Sequence, residues 1–325
     1  MLNRRECLFA LASLPLAGFA GPSRAQNWPD KPIRFILSQP AGSGPDAMAR
    51  LVGHDLTALL GQAVIVENRP GGQNAIGAQA AARSAADGST FYVATAAALV
   101  TNPFLFKSLS YDPRSDFTPV GMVGVVPFAI SVNANAPFRS FTELVTYAKA
   151  NPGKLDIANE GPRTFGGLLT RFLAAQLGLD IHPVSYSSVS AAVNDTVAGQ
   201  IGVLVSDVPS VLPMVKAGRL RTLAVTTTDR VPGLDNVPTV ADTLPGFDFY
   251  GWVGIVAPAG TSAPVVQAMN RALDRVLANL DLAERIRTIG PITHGAGTPA
   301  QMQAMLDKEH ARWAKLTKDF DIQPE

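Results

Sequence analysis

A glycine-rich loop that joins a predicted strand to a predicted helix is the part of this sequence best suited to bind an anion. The segment Ile33–Leu37, apolar except for Arg34, predicts a buried strand, and the loop Pro40–Gly44 follows it. Pro45 and Asp46 then suit the first turn of a helix. Backbone N–H groups at a helix N-terminus lack partners within the helix, and the helix dipole is positive there. The loop therefore predicts an anion site that requires no charged side chain.

Two interpretations of this anion site differ in the class of ligand. In the first, Gly42, Gly44 and Ala47 form the G-x-G-x-x-A pattern of a dinucleotide site. Glu67, at the end of the next predicted strand, would then bind the ribose. In the second, the loop binds a solute in an exported receptor. A glycine pattern alone does not decide between them, whereas the N-terminus of the chain does.

The N-terminus has the pattern of an export signal. Arg4 and Arg5 precede an apolar stretch from Cys7 to Ala20, and Ser23–Ala25 offers a small-x-small cleavage site, which predicts a signal peptide over residues 1–25. The apolar stretch is shorter than the ~20 residues that span a bilayer. The paired arginines resemble a twin-arginine signal, although general secretory signals also carry two basic residues. Because a periplasmic protein meets no free pool of NAD, export disfavours the dinucleotide interpretation.

Export also limits which reactive groups and which partners are expected of the mature chain. Cys7, the only cysteine, leaves with the signal, so no thiol or disulfide is expected. Cleavage changes the formal net charge of +1 to about −1, because three arginines and one glutamate are removed. A near-neutral chain without a basic run is a poor binder of nucleic acid. No metal and no cofactor are expected, since the histidines lack metal-ligand spacing; they are His54, His182, His294 and His310.

Helical and strand patterns alternate along the chain, and its length exceeds what one core usually serves. These features predict an α/β protein with two lobes and mainly parallel sheets. No flexible linker separates the lobes, so short hinge strands are expected to join them. Further strands are predicted at residues 91–94, 128–132, 154–158, 219–226 and 252–257. Helices are predicted from Ser140, with a capping box to Glu143, and over residues 263–282 and 299–318.

Sequence motifs along nearly the whole chain resemble a family of receptors. They include Lys31–Ile33, Glu67–Gly72, Tyr111–Pro113, Lys216–Arg221 and Gly297–Pro299. By these motifs the chain is identified as a member of the solute-binding proteins of tripartite tricarboxylate transporters, also called Bug or TctC-like receptors. The resemblance implies a two-lobed periplasmic-binding-protein-like fold of type II. Lobe one would comprise residues 27–126 and 248–325, and lobe two residues 127–247.

The resemblance also implies a function. It implies a periplasmic, monomeric protein that captures a small organic acid by closure of its lobes and delivers this carboxylate to the membrane permease subunits of the transporter. A ligand-loaded sensor for a membrane kinase is an alternative, because both roles use the same closed form. A periplasmic hydrolase is a third, although no catalytic motif such as G-x-S-x-G or H-E-x-x-H occurs. The chain is expected not to be an enzyme.

The chain departs from the family pattern at positions expected to face the ligand. Ser187 replaces a lysine, Gly167 stands where histidine is common, and Gly202 replaces an acid. Arg163 could compensate for the missing lysine by binding a carboxylate through its planar guanidinium. Alternatively, Arg163 is a solvated loop residue or pairs with Glu160.

The expected ligand contacts come from both lobes, and each has a purely structural alternative. Asp46 is either a ligand contact or only a helix-start residue, and Asp207 either a contact or the cap of the next helix. Ser43 and Gly44 would offer backbone N–H groups or only shape a turn. Tyr186 would stack on the ligand or belong to the core. Thr95 and Ala96 follow a strand end, where α/β folds bind ligands; Gln39, Thr164 and Ser187 complete the predicted set.

Overall fold

The computed structural model describes residues 28–324, so the predicted signal peptide over residues 1–25 lies outside the described residues. Among the described helices, none is both long and apolar enough to cross a membrane. The strands are β1 Ile33–Leu37, β2 Val64–Asn68, β3 Thr90–Thr95, β4 Phe117–Asn133, β5 Asp156–Asn159, β6 His182–Ser185, β7 Val203–Asp207, β8 Leu220–Val225 and β9 Tyr250–Pro258. The helices are α1 Gly44–Leu60, α2 Ala75–Ala82, α3 Asn102–Leu105, α4 Phe141–Ala150, α5 Phe165–Leu177, α6 Val189–Val197, α7 Val208–Lys216, α8 Ala263–Leu277, α9 Leu280–Thr288 and α10 Pro299–Asp319.

The described strands form one continuous sheet in the order β2-β1-β3-β9-β4-β7-β5-β6, with β8 also paired to β4. The outer strands of each half pair in parallel: β1 pairs with β2 and β3, and β5 with β6 and β7. Every antiparallel pair among the named strands includes β4 or β9, which are the two longest. The α/β, two-lobed fold expected from the sequence is confirmed.

Strand β4 passes from one half of the sheet to the other. Its residues 117–127 pair with β9, and its residues 128–133 pair with β7 and β8. The sequence predicted only residues 128–132 as a strand, because Pro119 and the nearby glycines disfavour regular strands. Register shifts after Pro119 and after Met122 accommodate these residues. The crossing strand is therefore longer than its sequence pattern indicates.

Apolar side chains cover both faces of the sheet in lobe one. Successive residues of a strand point to opposite faces, so Ile33, Phe35 and Leu37 pack against α1 and α8, and Ile36 belongs to the core on the other face. All four are at most 1% exposed. Burial on both faces explains why β1 is apolar at every position except the exposed Arg34 rather than alternating.

One predicted helix boundary and one predicted capping box differ from the structure. The apolar pattern over residues 263–282 is divided between α8 and α9, because the Asn279 side chain accepts a hydrogen bond from the Asp281 N–H at 2.9 Å and caps α9. At α4, Ser140 accepts from the Glu143 N–H as predicted. The Glu143 carboxylate accepts from the Arg139 N–H instead of returning to Ser140, so only half of the predicted capping box forms.

Helix α10 contacts both predicted lobes. Near its start, Met302 and Leu306 are buried beside β9 and the segment around Leu99 of lobe one. Near its end, the centre of the Trp313 ring lies 6.0 Å from the ring centre of Phe165 and 5.5 Å from that of Phe172, both on α5 of lobe two. The division of the chain into lobes by residue number remains our prediction, and α10 links the two parts that this division separates.

Candidate functional site

A cavity of ≈ 360 Å³ lies between the two halves of the molecule, beside strands β4 and β9. This volume falls in the range of small-molecule sites. Apolar side chains form part of the wall, including Val126, Phe128, Phe165, Val189 and Trp252. The polar part of the wall consists of Ser38, Gln39, Ser43, Gln73, Asn74, Thr95, Glu160, Thr164, Ser187, Ser188 and Asp207.

Six helical segments begin at this cavity, three from each predicted lobe. Each supplies the residue that precedes its first turn to the cavity wall. In lobe one these segments are α1, α2 and the π-helical segment Ala97–Thr101, and in lobe two they are α5, α6 and α7. Because the N-terminal end of a helix carries a partial positive charge, the cavity collects six such ends. The preceding residues are Ser43, Asn74, Ala96, Thr164, Ser188 and Asp207.

The two lobes differ in how these helix ends are capped. No side chain caps the three segments of lobe one among the described residues. In lobe two, Thr164 accepts from Gly167 N–H, Ser188 from Ala191 N–H and Asp207 from Ser210 N–H. The first N–H groups of α1 and of Ala97–Thr101 are thus more available to an external acceptor, whereas in α2 the Ala75 and Ile76 N–H groups already donate to the Gly72 and Gly71 carbonyls.

Amide and hydroxyl groups organise the lobe-one wall. The Gln39 side-chain amide donates to Asn74 Oδ1 at 2.8 Å and to Thr95 Oγ1 at 3.0 Å, which connects three loops around the cavity. Gln73 and Asn74 have φ values of 50° and 79°, a left-handed conformation that costs a non-glycine residue energy. Such strain is often retained at functional sites.

The lobe-two wall carries two carboxyl groups. Glu160 Oε1 accepts from the Gly166 N–H at 3.2 Å, and Asp207 Oδ1 accepts from the Ser210 N–H at 2.9 Å. Burial, together with the nearby charge of Asp207, raises the pKa of Glu160 to about 7, against hydrogen bonds from Gly166 and Thr164. Burial likewise raises the pKa of Asp207, although its hydrogen bonds with Ser210 act in the opposite direction.

Among the described residues that line the cavity, none is lysine, arginine or histidine. An anion in this cavity would therefore depend on N–H groups, hydroxyls, amides and helix dipoles, as the sequence predicted for the glycine loop. The two carboxyl groups of lobe two are the only lining side chains in the described range that can carry a full charge.

Seven of the predicted contact residues line this cavity, and the structure brings them together from five segments of the chain. They are Gln39, Ser43, Thr95, Ala96, Thr164, Ser187 and Asp207. Asp207 caps α7, as one sequence-based alternative predicted, and it also lines the cavity; its contact with a ligand stays a prediction. The sequence signals that located them were strand ends and loops before predicted helices.

Four predicted contacts lie outside the cavity wall. Gly44 faces lobe two, where a Cβ atom would lie 2.9 Å from Pro209. The Tyr186 hydroxyl donates to Asp195 Oδ2 at 2.9 Å, which directs it along α6. The Arg163 guanidinium lies over the Phe106 ring, 5.0 Å from its centre. This is a cation–π contact, and the contact of Arg163 with a ligand carboxylate stays a prediction.

Asp46, the fourth, is occupied by its own loop. It is 3% exposed, and its carboxylate accepts from Gly42 N–H at 2.9 Å, from Asn68 at 2.8 Å and from Arg50 at 3.1 Å. Burial alone would raise the pKa of Asp46, but these hydrogen bonds and the charge of Arg50 lower it below its ordinary value. Asp46 therefore holds the glycine loop in place rather than lining the cavity.

The Asp46→Ala protein is expected to lose about 2 kcal/mol of unfolding free energy, because the Gly42 N–H and the Asn68 amide would lose their buried acceptor. Urea unfolding measures this loss. Asp235→Ala, which removes an exposed loop carboxylate, is the matched control and should change stability little. Full stability of Asp46→Ala together with lost ligand binding would instead restore Asp46 as a ligand contact.

Several residues of the cavity were missed by the sequence analysis. Glu160 was considered only as a partner for Arg163, since its burial depends on tertiary structure. Gln73 and Asn74 had a usable signal, because asparagine after glycines favours a left-handed turn. Phe128 and Trp252 had none, since aromatic residues in strands usually belong to a core.

Comparison with known proteins places these features in a family. The sequence model described as the tripartite tricarboxylate transporter family receptor matches residues 48–322. The structure of R. palustris Rpa4515 with adipate has 31% identity and a TM-score of 0.87, over 92% of this chain and 100% of that one. The periplasmic binding protein BugD has 29% identity and a TM-score of 0.85, over 92% and 100%. MatC from Rhodopseudomonas palustris with bound malate has 26% identity and a TM-score of 0.80, over 88% and 98%.

Proposed function

Since the chain belongs to the receptor family of tripartite tricarboxylate transporters, we propose that it captures a small organic acid between its lobes and delivers it to the membrane permease subunits of such a transporter. The family is one of periplasmic solute-binding receptors and not of enzymes. The proposal adds to this family assignment the class of ligand, the closure of the lobes, the permease partner and a monomeric state in the periplasm.

One observation carries the proposal: uncapped helix ends of lobe one meet at a cavity that lies between both lobes. Unpaired N–H groups and the positive ends of helix dipoles favour a carboxylate there. Similar structures contain adipate and malate, which are small carboxylates. A volume of ≈ 360 Å³ suits a molecule of this size class.

Closure of the lobes is supported by the walls of the cavity and by contacts beside it. Both predicted lobes supply lining residues, so a ligand would touch both at once. Gly44 of lobe one lies against Pro209 of lobe two, and Lys216 of lobe two donates to the Thr288 carbonyl of lobe one at 3.2 Å. A ligand that binds only this arrangement would hold the two lobes together.

A thermal-shift and calorimetry screen of small carboxylates tests the proposal. A ligand that binds only the folded protein should raise the unfolding free energy by roughly 2.7 kcal/mol at a hundredfold excess over Kd. We expect at least one acid of the panel to do so and to be recovered chemically unchanged. Recovery of an altered acid, or no stabilisation by any carboxylate, would contradict the proposal.

Two matched variants locate the binding site. Ser187 lines the cavity and is exposed, so Ser187→Trp should fill the cavity mouth without disturbing the core and should abolish the ligand-induced shift. Ser185 is also exposed and lies on the same segment, but it does not line the cavity. Ser185→Trp should therefore keep the shift. Equal binding by both variants would place the ligand elsewhere.

A further inference from the structure

The two carboxyl groups of the lobe-two wall have no obvious role in binding an anion. Glu160 and Asp207 both line the cavity and are close enough for the charge of Asp207 to act on Glu160. Glu160 Oε2 is buried and has no hydrogen-bond partner among the described residues. A buried acceptor without a partner is costly. Because both acids line the cavity, this part of the wall is rich in acceptors and favours a ligand that can donate hydrogen bonds.

The local backbone makes specific room for the Glu160 carboxylate. A Cβ atom on Gly166 would lie 2.4 Å from Glu160 Oε2 and 2.8 Å from Oε1, so any larger residue there would displace this group. Asp207 is held in place by the Ser210 N–H, and a Cβ atom on Gly44 would lie 3.0 Å from its Oδ1. Both carboxyl groups are therefore positioned by the fold rather than free to turn towards solvent.

The lobe-one wall, opposite these two acids, offers hydrogen-bond donors rather than acceptors. The first turns of α1 and of the helix that Ala97–Thr101 forms together with α3 have no side-chain caps among the described residues, so their N–H groups suit an acceptor such as a carboxylate. The first turns of α5, α6 and α7 are already capped by Thr164, Ser188 and Asp207. A second carboxylate at this end would face two acids and few available N–H groups, and like charges at close range disfavour one another.

We propose that the ligand is a small amino acid whose carboxylate and ammonium groups lie at opposite ends, with the ammonium held by Glu160 and Asp207 and the carboxylate by the helix ends of lobe one. This inference rests on the proposed function and names the class of acid. An ammonium group donates three hydrogen bonds, which suits two acceptor side chains. Charge-assisted hydrogen bonds of this kind are among the stronger ones in proteins.

Pairs of probes that differ only at one end test the inference. In 4-aminobutyrate and glutarate, and in 5-aminopentanoate and adipate, an ammonium group and a carboxylate occupy the same place on the same spacer. Calorimetry at about pH 8, above the ordinary pKa of a carboxyl group, compares the members of each pair. We expect the unmodified protein to bind the amino acid of at least one pair at least tenfold more tightly than the matched dicarboxylate.

Variants of the two acids then identify the groups responsible. Glu160→Gln keeps the shape of the side chain and should weaken binding of the amino acid by ten- to a hundredfold, while binding of the matched dicarboxylate stays equal or becomes stronger. Asp207→Asn keeps an oxygen that can cap α7 and should act in the same direction, so the test does not depend on one variant. Glu284→Gln removes an exposed carboxylate on α9 and should change neither affinity.

The outcomes separate this inference from the function on which it rests. Tighter binding of the dicarboxylate by the unmodified protein, weakened by Glu160→Gln, would mean that a protonated Glu160 donates to a second carboxylate. That result would overturn the inference and keep the proposed function. Equal affinities within every pair would also overturn it. If the protein bound neither the amino acids nor the dicarboxylates, both this inference and the proposed function would be contradicted.

Discussion

The Gly167→Ala protein is expected to lose about 3 kcal/mol of unfolding free energy and to bind ligand at least a hundredfold more weakly. Gly167 lies in the first turn of α5, where a Cβ atom would be 1.9 Å from the Gly161 carbonyl oxygen and 3.0 Å from Pro162 Cα. Both are backbone atoms, so no side-chain rotation relieves the overlap. Either α5 or the loop before it must move, and these two segments hold Glu160 and Thr164 in the cavity wall.

The direction of this effect is diagnostic, because alanine within a helix is normally more stable than glycine by about 0.5–1 kcal/mol. A destabilisation must therefore come from the contact with Gly161. Gly202→Ala is the matched control, since nothing lies within 4 Å of its Cβ position, and it should change stability by less than about 0.5 kcal/mol. Urea unfolding and calorimetry measure both quantities. Equal stability of the two variants would show that the loop before α5 adapts freely.

The Glu160→Gln protein is expected to be more stable than the unmodified protein at about pH 8 without ligand, by on the order of 3 kcal/mol. The pKa of Glu160 rises from an ordinary 4.5 to about 7 on folding, mainly through burial. Between these values the folded protein holds the proton more tightly than the unfolded chain, so the stability of the unmodified protein falls as pH rises from 4.5 to about 7. Glutamine carries no charge and avoids this loss.

Urea unfolding at several pH values tests this second prediction. The stability difference should be near zero at about pH 4, where Glu160 is protonated in both states, and should grow until about pH 7. The exposed Glu284→Gln variant should show no such growth. A difference that stays constant with pH would mean that the effect of Glu160→Gln comes from packing rather than from charge. Together with weaker ligand binding, the predicted gain would show that this acid is retained for function at a cost in stability.

The local sequence pattern predicted the fold well where the residues of one segment are sufficient to determine its secondary structure. The buried run of β1 and the Ser140 cap of α4 appear where the sequence placed them. It failed where distant contacts decide, as in β4, whose prolines and glycines are accommodated by register shifts against β9. The turn at Asn279 was missed because the apolar spacing continues through it.

The residues of the candidate site differ in the same way in how far local sequence predicts them. Strand ends and helix starts located Ser43, Thr95 and Asp207, since local sequence marks such positions. Arg163 was predicted from its guanidinium and from the lysine that Ser187 replaces, and the Phe106 ring that it contacts is remote in sequence. Glu160 can be recognised as a site residue only once its burial is known. Its neighbours in the sequence do not show that Gly166 leaves space for its carboxylate.

Helix α10 has a consequence for the rate at which cargo is exchanged. On the predicted division of the chain, its aromatic contacts with α5 join the two lobes through protein atoms alone. They do not favour the loaded state over the empty one, so they leave the equilibrium preference for one cargo over another unchanged. They raise the population of empty closed receptor, from which uptake requires a prior opening step. We therefore expect slow association and a long residence time, set by how often Trp313 leaves Phe165 and Phe172 rather than by diffusion.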